Sequence, residues 1–145
     1  MYAAPINWWR LDAEERVETM TVLTEWVPEL VRRYGLQDAI IPPCWFRHEA
    51  MIQELLALFQ YRNQLQFLPA APPGAPLDFH YQLQLVMQRM RSWTGMTGCN
   101  GGEHEPTRVQ SWADPQMVNG AKWATAIGDY LLEQEQVWKS EEGTE

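Results

Sequence analysis

Both cysteines of this chain and two of its three histidines fall into two short pairs, Cys44-x3-His48 and Cys99-x4-His104. Thiolate sulfur and imidazole nitrogen are the donors with which a closed, tetrahedral Cys2His2 zinc site is built. The first pair lies at a predicted helix start, where the macrodipole favours thiolate. The second lies in a Gly-rich stretch supple enough to wrap an ion. The bland alternative makes Cys44 a small buried hydrophobe and leaves His48, Cys99 and His104 unrelated, since the gap between the pairs is not that of a known finger. A zinc hydrolase would need water in place of one ligand, with Glu49, Glu103 or Glu105 as general base. Its usual signatures, H-E-x-x-H or H-x-E with P-C-x-x-C, are absent. His80 has no second ligand near it in sequence and reads as a histidine hydrogen-bonded at a helix start. No Ser/His/Asp or Cys/His set has a useful spacing, and Gly98-Cys99-Asn100-Gly101-Gly102 lacks the lysine and the following helix of a phosphate-binding loop.

The first pair is positioned by the stretch from Pro42 to Gln64, around which the chain is organised. Pro42 and Pro43 impose an extended approach and suit a helix edge, where a missing N–H costs nothing. A helix is expected from about Cys44 to Arg47 onward. Trp45, His48, Ile52, Leu55, Leu56 and Phe59 share one face at three- and four-residue steps, and Met51, Leu58 and Leu65 widen it, so the helix should be covered on more than one side. The second pair is positioned by a segment without period, Thr94 to Ala113. Some 20 residues of this kind inside a compact domain call for disorder or for something that pins them, and a metal on Cys99 and His104 would do so.

The flanking elements are helical too. Met1 to Arg10 reads as an arm that docks Trp8 and Trp9. Asp12 with Glu15 forms a capping box, opening a helix whose face is Val17, Met20, Leu23, Val27, Leu30, Val31 and Tyr34 and which closes at Gly35. Pro28 should bend this helix without splitting it. Pro69 to Pro76 reads as a stiff linker or ordered turn. Asp78 is expected to cap a third helix bearing Phe79, Leu83, Val86, Met87, Met90 and Trp93. Asp114-Pro115 should start a fourth, running to about Lys139, with Met117, Val118, Ala121, Ala124, Ile127, Leu131 and Trp138 on a broad face. Gly120 and Gly128 would permit close helix contact there. The expected fold is all-α: a compact bundle of about four helices, residues 1–139 in one domain, with a frayed acidic tail at 140–145 and the Gly-rich loop pinned by zinc.

With 145 residues and 46% apolar content, the chain suffices for one core. No apolar run approaches the roughly 18 residues of a membrane span, and no charged start with an apolar core marks an export signal, so a cytoplasmic protein with reduced cysteines is expected. The net charge of −8 is uneven: residues 1–95 carry 8 Lys+Arg against 10 Asp+Glu, residues 96–145 carry 3 against 9. That distribution offers no basic stripe for phosphates, which makes nucleic acid an improbable partner. Arg32/Arg33 and Arg89/Arg91 read as cations closing helices. A DNA-binding regulator would also need a short turn between the second and third helices, and Pro69 to Pro76 is too long and stiff for it.

Trp8-Trp9, Trp26-Val27, the run Pro43-Cys44-Trp45-Phe46-Arg47-His48, Phe79-His80, Gly98-Cys99 and His104 together resemble small helical proteins of uncharacterised function encoded by actinobacterial phages, plasmids and integrative elements. The resemblance covers about residues 7–104, and its most specific part is C-W-x-x-H followed by a distant C-x4-H. The family more often carries Trp where this chain has Phe79, and the acidic helix after Pro106 lies outside the resemblance. It implies that Cys44, His48, Cys99 and His104 belong together, and it implies no activity. The function expected is therefore a non-enzymatic, zinc-stabilised module that binds a protein of the host or of the element. The segment 114–139 is the expected partner-binding element, against two alternatives: a core helix, or a homodimer formed across Gly120 and Gly128. The acidic last third could face a basic partner, although an ordinary solvated face is the plainer account.

Overall fold

The computed structural model describes residues 4–67, 71–99 and 103–143. Four α-helices and no strands occur among them, so the fold class is all-α as expected: α1 is Ala13–Tyr34, α2 Glu49–Phe67, α3 Ala75–Thr97 and α4 Val118–Glu142, with 3-10 turns at Trp8–Arg10, Trp45–Arg47 and Ser111–Ala113. Pro69 and Ala70 of the expected linker, Asn100 to Gly102 of the loop, and Thr144 and Glu145 of the tail lie outside the described residues. The sequence suggests one domain over 1–139; contacts within the chain gather into two units, Met1–Thr107 and Arg108–Glu145.

In the first unit α2 lies between α1 and α3 and packs on both. Its apolar positions exceed one stripe, and Met51, Ile52, Leu55, Leu56 and Leu58 are all buried. α1 adds Leu23, Val27 and Leu30, α3 adds Phe79, Leu83, Val86 and Met90, and the connecting segments add Trp8, Ile41 and Trp45. Each such side chain stabilises the fold by about 1.5–3 kcal/mol on leaving water. The α1 capping box forms as expected: the Glu15 amide donates to Asp12 Oδ1 at 2.8 Å, and the Asp12 amide donates to Glu15 Oε1 at 3.2 Å. α1 runs unbroken through Pro28 and ends on Gly35 in the left-handed conformation.

Four local expectations are corrected. Only Trp8 of the Trp pair docks, with the Arg16 guanidinium stacked 5.0 Å from its ring, while Trp9 is 72% exposed. Asp78 does not cap α3: the helix begins a turn earlier, with Pro76 in its first turn where a missing N–H is tolerated, and Asp78 complements the dipole from inside that turn. α3 then continues to Thr97, so Arg89 and Arg91 do not close it. Arg89 instead reaches Glu54 on α2 at 2.9 Å. Asp114 caps a tight turn, its Oδ1 accepting from the Gln116 amide at 3.0 Å, and α4 starts only at Val118.

The second unit is α4 with the Ser111–Ala113 turn packed on its start. Gly120 is required here by close approach, since a Cβ would collide with the Asp114 carbonyl. Its small size thus serves this turn. Gly128 has open space around it. Of α4 only Gly120 is buried, and Trp123, Ile127, Leu131 and Trp138 remain 50%, 54%, 48% and 49% exposed.

Candidate metal centre

The four residues singled out by type and spacing come together. Pro42 and Ile41 are buried, and the Pro42 carbonyl accepts from the Trp45 amide at 3.0 Å, starting the Trp45–Arg47 turn. Cys44 precedes this turn and His48 closes it in an extended conformation, its carbonyl accepting the first helical bond from Ile52 at 3.0 Å. The pair therefore flanks a 3-10 turn, whereas the sequence suggests two positions on an α-helical N-terminus. Buried Trp45 anchors the turn to the core, and so fixes where its two ends point.

The second pair follows α3. Thr94, buried in the last turns of that helix, donates its hydroxyl to the Ile40 carbonyl at 3.1 Å and ties the end of α3 to the approach of the first pair. Gly98 then reverses the chain with φ of 75°, a conformation that a side chain would strain. Cys99 emerges from this reversal, its amide donating to Thr97 Oγ1 at 3.3 Å.

His48 Nε2 lies 3.8 Å from Cys44 Sγ and 3.2 Å from Cys99 Sγ, and Cys99 Sγ lies 3.9 Å from His104 Nδ1. All four donor atoms fall within 4.8 Å of one another. Bonds of about 2.3 Å to sulfur and 2.0–2.1 Å to nitrogen, at tetrahedral angles, place neighbouring donors about 3.3–3.8 Å apart. The cluster thus needs only a small contraction to hold one ion, and donors of this kind are compatible with a metal centre.

The surroundings favour the ligating form at His48 and Cys99 and oppose it at Cys44. His48 is 2% exposed, and its Nδ1 lies 2.8 Å from Thr107 Oγ1. With Nε2 on a metal, Nδ1 carries the proton and donates it to that hydroxyl, which fixes tautomer and ring plane. Burial, with the neighbouring His104 adding to it, lowers the His48 pKa and keeps the imidazole neutral. Burial also acts to raise the Cys99 pKa, but hydrogen bonds with Thr97, the Glu105 backbone and Cys44 outweigh it, and the thiol is held below its ordinary value. The Glu105 amide contributes by donating to Cys99 Sγ at 3.3 Å. Cys44 moves the other way. Burial pushes its thiol up, and so does the nearby Cys99 sulfur. The thiolate advantage expected of a helix start is therefore not found at Cys44, because no α-helix begins there. A cation between the two sulfurs would offset both effects.

Thr107 was not distinguished by the sequence: a lone threonine in an unpatterned stretch has no signature. Its expected effect is testable. Thr107→Val keeps the shape and removes the acceptor, and should weaken zinc binding about 10–100-fold in competition with a chromophoric chelator; unchanged affinity would leave the His48–Thr107 contact without a role. Glu103 and Glu105 are exposed, and Glu105 meets the cluster through its backbone. His80 is outside the cluster, as expected, and pairs with Tyr34. Comparison of the chain with protein-family models, curated proteins and solved structures finds no match.

Proposed function

We propose that this chain is a non-enzymatic protein-interaction module of a phage or mobile element, folded around one structural zinc ion held by Cys44, His48, Cys99 and His104. The observation that carries this reading is the convergence of all four donors within 4.8 Å. Four protein donors complete a tetrahedral shell and leave no position for the activated water that a hydrolase requires. Zinc fits better than redox-active metals because two thiolates and two imidazoles in a tetrahedral arrangement are its preferred set. The origin rests on the resemblance carried by C-W-x-x-H and the distant C-x4-H. A reducing cytoplasm suits both free cysteines, and no helix among the described residues is long and apolar enough to cross a membrane.

The interaction element in this reading is α4. Trp123, Ile127, Tyr130, Leu131 and Trp138 recur at helical spacing and are all about half exposed, flanked by exposed Glu133 on one side and on the other by Glu135, which pairs with Lys139 at 3.1 Å. The partner implied is a protein presenting an apolar groove with basic margins, and a homodimer would satisfy the apolar part alone.

Metal content tests the first half of the reading. Purified full-length chain made with zinc available should hold one zinc per chain by elemental analysis. Its cobalt-exchanged form should show the intense visible bands of a tetrahedral site with thiolate ligands. Metal-free protein, or an octahedral cobalt spectrum, would dispose of the site.

A further inference from the structure

His80 and Arg62, neither used by the metal centre, meet at a cavity of about 470 Å3 in the first unit, lined also by Tyr34, Leu65, Pro76 and Phe79. Its volume is that of a small-molecule site, and such sites combine apolar walls with a few convergent polar groups. The walls here are apolar side chains together with Pro72, Pro73 and Pro76, whose backbone nitrogens offer no N–H to a polar guest. The polar groups stand together. Tyr34 Oη and His80 Nε2 are 3.1 Å apart and their rings meet edge to face at 5.8 Å, which joins α1 to α3. Arg62 on α2 supplies the charge.

Arg62 is half-buried, yet no carboxylate among the described residues pairs with it; the ion pairs found there are Arg33–Glu29, Arg89–Glu54 and Lys139–Glu135. Partial burial of a guanidinium without a counter-ion is unfavourable. Its planar fork matches one carboxylate through two parallel hydrogen bonds. We propose that this cavity binds an amphipathic monocarboxylate, its carboxylate on Arg62 and its apolar body between Leu65, Phe79 and the prolines. The Tyr34–His80 pair takes the remaining lone pairs of the carboxylate. A neutral analogue leaves Arg62 unpaired.

Octanoate and octanol separate the charge from the chain. In isothermal titration of the full zinc-loaded chain, octanoate should bind once per chain, about ten-fold or more tighter than octanol, the usual difference made by one charge-assisted hydrogen-bonded pair. Arg62→Gln should erase that preference, bringing octanoate to the affinity of octanol, while Arg62→Lys should retain part of it; the melting temperature of each variant reports its folding. No saturable octanoate binding to the wild-type chain overturns the proposal. So does equal binding of octanoate and octanol, or a folded Arg62→Gln chain that keeps the preference.

Discussion

Cys99→Ser should lower the melting temperature of the zinc-loaded chain by about 15–30 °C. A ligand that binds only the folded state adds about 4 kcal/mol when its free concentration is a thousand times its dissociation constant, and 1 kcal/mol moves the midpoint of a domain of 60–100 residues by about 4–8 °C. Serine has nearly the size of cysteine, so packing changes little; what is lost is a thiolate aimed by Gly98 and stabilised by the Glu105 amide. A chelator should therefore bring the wild-type chain to the same midpoint as the variant, and zinc should raise only the wild type. Loss of structure should be confined to the end of α3 and the segment to Thr107, seen as faster amide exchange there. Leu23, Met51, Leu55 and Met90 are fully buried without help from the metal, so the three-helix core should stay helical. A variant that still gains stability from zinc as the wild type does would mean that Cys99 is not a ligand.

The parts of this structure that could be read in advance are those decided by neighbours in sequence or by rare residue types. Asp12 and Glu15 are three residues apart and satisfy each other's backbone partners, so the capping box needs no tertiary information. The apolar excess of α2 marks it as central because only a helix packed on more than one side can hide Met51, Ile52, Leu55, Leu56 and Leu58 together. Two cysteines and three histidines are few enough that their pairing by spacing carries information. Boundaries were harder. Asp114-Pro115 has every local feature of a helix start, yet the chain first closes a turn over Gly120 and begins α4 at Val118. Cys44 and His48 read as helix positions because a separation of four residues fits one α-helical turn, and nothing local in the sequence signals the tighter 3-10 turn that forms between them. Thr107 was invisible for a different reason: its role is set by a partner 59 positions away.

Removing α4 should leave the metal-binding unit intact and abolish partner binding. Residues 1–107 contain every donor of the site, Thr107, and the core formed by α1, α2 and α3. Ending at Thr107 preserves the contact to His48, which a shorter chain would lose. The shortened chain should bind one zinc and melt within a few degrees of the full one, because α4 has only Gly120 buried and leaves its large side chains about half exposed. In the full chain, Ile127→Glu with Leu131→Glu should keep zinc content and melting temperature. It should weaken a partner that docks on the stripe at least about a hundred-fold, since two central apolar anchors are commonly worth about 2 kcal/mol each or more. A homodimer would show the same loss in sedimentation, and a different protein would show it in capture that the wild type supports and the variant does not. Aggregation or early melting of residues 1–107 would mean that the face of α4 belongs to the core, because exposing the surface it had covered is the one consequence of the cut that can destabilise a unit whose metal site is complete.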